Sequence, residues 1–470
     1  MPQYLLVFAD VHHEFRIPEL YSVAELHRFS LAMPERPEDR DPTRPYMVVS
    51  LEHEDHALIL ARRCILVKFV YEFYGQGSTY DELHVSTRGN EAKWACYIPE
   101  TSFRFIVTAH NHKIPQSRQR AVVESFAYMN LLGKIEMKNP QIVFGCFEEY
   151  TNRSGIIRSK HEGDGHFRQA YFGRLLEAGS ARQLVGKFDV KKRVYYGNTS
   201  MEAEISLLMA NQTLAAPGKL IYDPFLGTGS MAYTTSHFGA LVFGSDIDGR
   251  QMRGKGTPPG VIRAARQYGT ESRILDLCTF DVTRNPWRCG SLFDAIVTDP
   301  PYGVRAGAKR LGRKKDLSED KVQQMLEYRI SPRTDDQPYI PPTKPYELSH
   351  LAVDLVLLAR HLLKPGGRLV FFLPTVTDEY EELDVQSMLC EGMEVIGNSL
   401  QDFGSWGRRL VTIRKTTRGE YERPSFEQQD DPADIIHIPA HKDFREKYFQ
   451  GFKKEGETDD RTTAVKLQIT

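Results

Sequence analysis

The sequence predicts two unlike halves: an α+β half, followed by an α/β half built on an open, mainly parallel sheet. Three observations carry this. Up to about residue 190, short β-rich runs and helical runs alternate in a β-α-β-β rhythm. From about Tyr195 the strand-like runs become almost continuously apolar and are separated by helical connections, as in a parallel sheet covered on both faces. The first of these strands runs straight into a glycine-rich turn, "DPFLGTG", that opens a helical stretch.

Taken in order, "YLLVFAD", "PYMVVSLE" and "ILVKFVYEFY" read as strands, with helices over "IPELYSVAELHRFSL" and "EDHALILARRC" between them. "SFRFIVTAH", "QIVFGCFEEY" and "AYFGRLLEAG" are further strands, with a helix over "SRQRAVVESFAYMNLLGKI". These form two small units of the ferredoxin-like kind, over residues 1–90 and 91–190. A helix over "AEISLLMANQTL" leads into the strands "KLIYDPF", "LVFGSDI", "RILDLCTFDV", "FDAIVTDP" and "RLVFFLP" of an α/β domain at 195–418. The last stretch, 419–470, is rich in Glu, Gln, Asp and Pro and reads as a polar tail, partly disordered.

A chain of 470 residues exceeds one ordinary hydrophobic core, and 41% hydrophobic with 26% charged residues is a globular composition. No apolar run approaches ~18 residues, so a membrane span is not expected. The start, "MPQYLLVFADVHH", has neither the basic nor the long apolar region of a signal peptide. Six cysteines without a C-x-x-C pair suggest reduced thiols in a cytoplasmic protein, with no metal site. Net charge is only -1, but phosphate responds to local charge. Arg305, Lys309, Arg310, Arg313, Lys314 and Lys315 fall within eleven residues that hold no acid. Arg104, Arg118 and Arg120 lie in a second stretch without acids. A solvated face explains any one such patch, and several together point to a polyanionic substrate.

The chemistry-bearing motifs cluster in the second half. The loop after "LIYD" is not a P-loop, because no Lys follows and the glycine spacing differs. Gly227 and Gly229 let a ligand approach the backbone, and Asp246 closes the next strand where such sheets hold ribose. Alone, this pattern is weak: a dinucleotide site is allowed, and so, with less weight, is a bare tight turn. Asp281 closes "CTFDV" and Asp299 closes "DAIVTD", which leaves three strand-end acids on one expected rim. Asp299 opens Asp-Pro-Pro-Tyr, where Pro300 and Pro301 make a stiff corner that presents a carboxylate beside the Tyr302 ring.

Together with "LKPGGRLVFF", this set resembles the S-adenosylmethionine-dependent amino-methyltransferases, with a Rossmann-like sheet. The resemblance implies that Asp223, Phe225, Gly227 and Gly229 cradle the methionine end of the cofactor. It implies Asp246 and Ile247 at ribose and Asp281 with Val282 near adenine. Thr199 and Ser200, in "YYGNTSMEAEIS", would lie in the segment that closes over the cofactor. With two α+β units ahead of it, the second resembling a THUMP RNA-binding module, the whole chain resembles the eukaryotic tRNA guanosine-10 N2-methyltransferase catalytic subunits. That family implies a tRNA substrate and a small zinc-binding activator subunit as partner.

The corner suits methylation of an amine. An exocyclic purine amine is conjugated and poorly nucleophilic, and acceptors on its N–H bonds stabilise the charge that develops in transfer. Asp299 and the Pro300 carbonyl are candidates for those acceptors, and Tyr302 for a face on which a splayed base stacks. A DNA adenine-N6 or cytosine-N4 methyltransferase uses the same corner. A nicotinamide-dependent dehydrogenase would leave it idle, and an inactive tRNA-binding protein would not need three intact acids.

Overall fold

The structure is a computed structural model that describes residues 1–110, 112–151, 166–304, 307–312, 323, 342–419, 421–426 and 439–451. Two compact units emerge. One comprises Met1–Ser245, Gly249–Cys278 and Phe293–Val297, and the other Asp246–Asp248, Thr279–Leu292 and the chain from Thr298 onward.

In the first unit, strands β1 (Gln3–Phe8), β2 (Leu31–Ala32), β3 (Tyr46–Leu51), β4 (Val67–Gly77), β5 (Phe103–Ala109), β6 (Ile142–Tyr150) and β7 (Phe167–Ala178) form one seven-stranded sheet. Its order is β2-β3-β1-β4-β7-β6-β5. The two α+β units expected on either side of residue 90 thus share a single sheet, because β4 pairs antiparallel with β7 across that break. Period-2 alternation splits β1 between two cores. Tyr4, Leu6 and Phe8 join the cluster under helices Arg16–His27 and Glu54–Arg63, while Leu5 and Val7 join Tyr71, Phe147 and Tyr171.

The same unit holds β8 (Leu220–Asp223), β9 (Leu241–Asp246), β10 (Ile274–Thr279) and β11 (Phe293–Thr298) in the order β10-β9-β8-β11. Strand β8 runs parallel to both β9 and β11. Strand β11 is buried almost throughout, as expected of a central strand with both faces covered. The second unit holds the short pair β12 (Lys309–Leu311) and β13 (Thr343–Pro345), then β14 (Leu363–Val376), β15 (Met393–Asp402) and β16 (Trp406–Lys415). Strand β16 lies between β14 and β15, antiparallel to each. The β15–β16 hairpin is not among the strands expected from the sequence. A three-residue connection turns it, with Gly404 at φ +95°.

One buried network ties the N-terminal half to the first helix of the α/β half, Ala203–Gln212. The Glu19 carboxylate, 1% exposed, accepts hydrogen bonds from the Ile65 and Leu66 N–H groups and from Asn211 Nδ2, at 2.7, 3.0 and 2.7 Å. Arg63 Nε donates to Asn211 Oδ1 at 2.7 Å, and its guanidinium lies 3.4 Å from the centre of the Phe238 ring. Glu19→Ala would leave several buried donors unpaired, each worth about 1–3 kcal/mol. The expected result is a lower thermal transition for the full chain, against an unchanged one for the exposed Glu52→Ala. Equal melting curves would show that the network adds nothing to stability.

Candidate active site

The glycine loop follows directly from β8. Asp223 is fully buried, and its carboxylate accepts the Phe225 N–H at 3.1 Å, which turns the chain out of the strand. The Leu226 N–H donates to the Ser245 carbonyl at 2.9 Å, and the Gly229 N–H to the Leu226 carbonyl at 2.8 Å. Gly227 and Gly229 take φ of +52° and +84°. A Cβ on Gly229 would lie 2.9 Å from the Tyr233 hydroxyl. The same position on Gly227 is open, the nearest atom being the Phe225 carbonyl oxygen at 3.9 Å. Ser200 reaches the loop, its Oγ 2.7 Å from Thr228 Oγ1, whereas Thr199 is exposed.

Sequence reasoning missed Arg193 and Tyr233, which brace this loop from beneath. Arg193 is 3% exposed, donates to Ser230 Oγ at 2.9 Å and to the Tyr268 hydroxyl at 3.2 Å, and stacks over Tyr233. The Tyr233 hydroxyl donates to the Thr228 carbonyl at 2.6 Å, and burial pushes its phenol pKa up, so it stays a neutral donor. No local pattern distinguished this Arg from a surface one.

In the second unit, Asp246 and Ile247 are half-buried, and the Asp246 carboxylate accepts the Asp248 N–H at 2.8 Å. The Phe280 N–H donates to the Asp246 carbonyl at 3.2 Å, so the ends of the two acid-bearing segments are held side by side. Asp281 departs from expectation. It is 1% exposed, one oxygen caps the turn at Thr283 through the N–H and Oγ1, and the other accepts the Leu311 N–H. Asp223 and Asp281 therefore shape backbone from the interior and are not open acids on a rim. The half-buried Phe225 and Val282 next to them are more exposed.

At the corner, Pro300 is buried and Asp299, Pro301 and Tyr302 are half-buried. The Tyr302 hydroxyl donates a hydrogen bond to Asp299 Oδ1. Tyr302 also bridges Gly307 through the backbone, and Gly303 takes φ +89°.

The basic candidates divide. Lys309 and Arg120 are exposed. Arg310, its neighbour on β12, lies on the other face with its guanidinium 5.4 Å from the Tyr346 ring centre. The Tyr346 hydroxyl in turn donates to Asp354, whose carboxyl burial pushes up. Arg118 donates to the buried Glu148 at 3.2 Å, and Arg104 to the Met137 carbonyl at 2.9 Å. Those three each meet a partner within the protein, Arg118 while itself 45% exposed. Arg305, Arg313, Lys314 and Lys315 lie outside the described residues.

A family model described as "Tmrp11 THUMP N-terminal domain" matches residues 2–182, and one described as "RMKL-like, methyltransferase domain" matches 191–328. The chain is 38% identical to the tRNA (guanine(10)-N(2))-methyltransferase of Saccharomyces cerevisiae, over 96% of this chain and 100% of that protein. The chain belongs to this methyltransferase family. The Schizosaccharomyces pombe relative of the same name is 36% identical over 96% of each chain. Homo sapiens tRNA (guanine(10)-N(2))-methyltransferase TRMT11 is 32% identical over 98% of each. The match runs through both halves of the methyltransferase. No helix among its described residues is long and apolar enough to cross a membrane.

Proposed function

We propose that this methyltransferase transfers a methyl group from S-adenosylmethionine to the exocyclic N2 amine of guanosine in tRNA, at position 10 as the names of its relatives indicate. The observation that carries the reading is the Asp-Pro-Pro-Tyr corner, with the Tyr302 hydroxyl held on Asp299. The glycine loop fits the cofactor, since the space above Gly227 is open and two positive-φ glycines let a ligand approach the backbone.

S-adenosylmethionine, when bound, supplies a methyl already electrophilic on its sulfonium. By the family resemblance, Phe225, Gly227, Gly229 and Ser200 would hold its methionine end, Asp246 and Ile247 its ribose, and Val282 would lie near adenine. Asp299 and the Pro300 carbonyl accept hydrogen bonds from the attacking amine and stabilise the positive charge that grows on it. Tyr302 stacks on the displaced base and, through its hydroxyl, fixes the carboxylate. Because both prolines restrict the backbone, acceptor and ring keep their register without ordering cost at the moment of reaction.

We assign the N-terminal half, through its THUMP region, to tRNA binding, and the cytoplasm as the compartment. The reading also includes a small zinc-binding activator subunit. Strand β10 ends its sheet with Leu275 52% exposed, an edge suited to a covering partner. Incubating the chain, alone and with the activator, with labelled S-adenosylmethionine and separate pools of tRNA, rRNA and DNA tests the reading. N2-methylguanosine in tRNA is the expected product. Methylated DNA, or no transfer to any pool, would overturn it.

The basic residues give a second test. Lys309→Ala and Arg120→Ala are each expected to weaken tRNA binding and to reduce its salt slope by about one. Arg310→Ala and Arg118→Ala should leave the slope near wild type, since their guanidinium groups serve Tyr346 and Glu148. Filter binding across a salt series reads this difference, and four equal slopes would reject the division.

A further inference from the structure

The stretch assigned by composition to a polar tail includes an ordered segment beside the catalytic corner. Residues 439–451 are described and contain the helix Phe444–Gln450. The Ala440 N–H donates to the buried Asp384 at 3.1 Å, and Lys447 pairs with Glu379. Phe444 is 1% exposed and sits in an apolar cluster with Leu348 and Val376, against which Tyr302 and Val304 pack. The helix is therefore seated on the residues that follow Asp299.

Arg445 is the next residue along. Its stem covers Gly303, with Cδ, Cβ and Cγ at 2.9, 3.1 and 3.2 Å from where a Cβ on that glycine would stand. The side chain is exposed, and no hydrogen bond or ion pair involves it among the described residues. Glu379 pairs with Lys447 and Asp384 accepts from Ala440, and no side-chain bond joins Arg445 to its exposed sequence neighbours Asp443 and Glu446. A permanently charged, forked group with a fixed stem, placed one residue beyond Tyr302, has the properties of a phosphate clamp. An extruded base brings its own backbone phosphates to the mouth of the pocket that receives it.

We propose that Arg445 is a substrate-binding residue of the catalytic corner, its guanidinium taking a phosphate of the RNA beside the base presented to Asp299. The inference rests on the tRNA reading above. Arg445→Met keeps an apolar stem over Gly303 and removes the charge, whereas Arg445→Lys keeps the charge and loses the fork. In the full chain, Arg445→Met is expected to weaken tRNA binding about ten-fold and to lower its salt slope by about one, with S-adenosylmethionine affinity unchanged. Arg445→Lys should recover the slope and part of the affinity. A wild-type slope in Arg445→Met, or equal loss in the Met and Lys variants, would overturn the assignment and leave only packing. Identifying the nucleoside made by the wild-type chain tests the tRNA reading separately, because the binding measurement needs no turnover.

Discussion

Asp299→Ala is expected to abolish nearly all single-turnover methylation of tRNA while S-adenosylmethionine binds as in the wild type. The amine would lose the charged acceptor proposed to stabilise its growing charge. Loss of one such preorganised group costs about 2.7–4 kcal/mol, on the order of 10²–10³ in rate. Asp299→Asn keeps a carbonyl oxygen without the charge and should fall between. The Tyr302 hydroxyl modifies the expectation for its own substitution. A reading of the corner as a stacking face alone makes Tyr302→Phe nearly silent. Since that hydroxyl donates to Asp299, the Phe variant also removes one of the bonds that orient the carboxylate. A hydrogen bond of this kind is worth about 0.5–1.5 kcal/mol, so a loss of up to about ten-fold is expected, with tRNA affinity retained. A near-normal rate for Asp299→Ala, or a methyl found on a ring nitrogen or a ribose oxygen, would end this mechanism.

Asp246→Ala should act on the other ligand. Its carboxylate is half-buried at the end of β9, and the Asp248 N–H donates to one of its oxygens at 2.8 Å. That bond helps orient the carboxylate proposed as the acceptor for ribose hydroxyls. Hydrogen bonds to a charged acceptor contribute about 1.5–3 kcal/mol, so calorimetry should show S-adenosylmethionine bound roughly 10- to 100-fold more weakly. Affinity for tRNA should not change. Asp246→Asn, which can still accept from Asp248, is expected to lose less. Unchanged cofactor affinity in the Ala variant would place the ribose elsewhere.

Local pattern alone determined much of this protein. Alternation in "YLLVFAD" and the apolar run "DAIVT" identify β1 and β11, because a strand's face is set by neighbours two residues apart. The glycines of the loop announce positive φ, and Pro300 and Pro301 announce a stiff corner, because both restrictions belong to the residue itself. The aromatic spacing of Phe444 and Tyr448 was also visible, but a tail judged by composition hid it. What distant residues do to a side chain could not be read this way. Nothing in "CTFDV" says that Asp281 is closed off by Leu311, thirty positions later, while Asp246 stays half-open. Arg118 and Arg120 look alike in sequence, yet only the first meets the buried Glu148. Arg193 and Arg445 are likewise ordinary arginines until the fold seats one beneath the glycine loop and the other over Gly303. Backbone preference acts over a few residues, so the sequence determines which elements form and where the chain turns. Which charge is spent inside the protein and which is left for a substrate depends on the groups that share its volume, and only the tertiary structure brings those together.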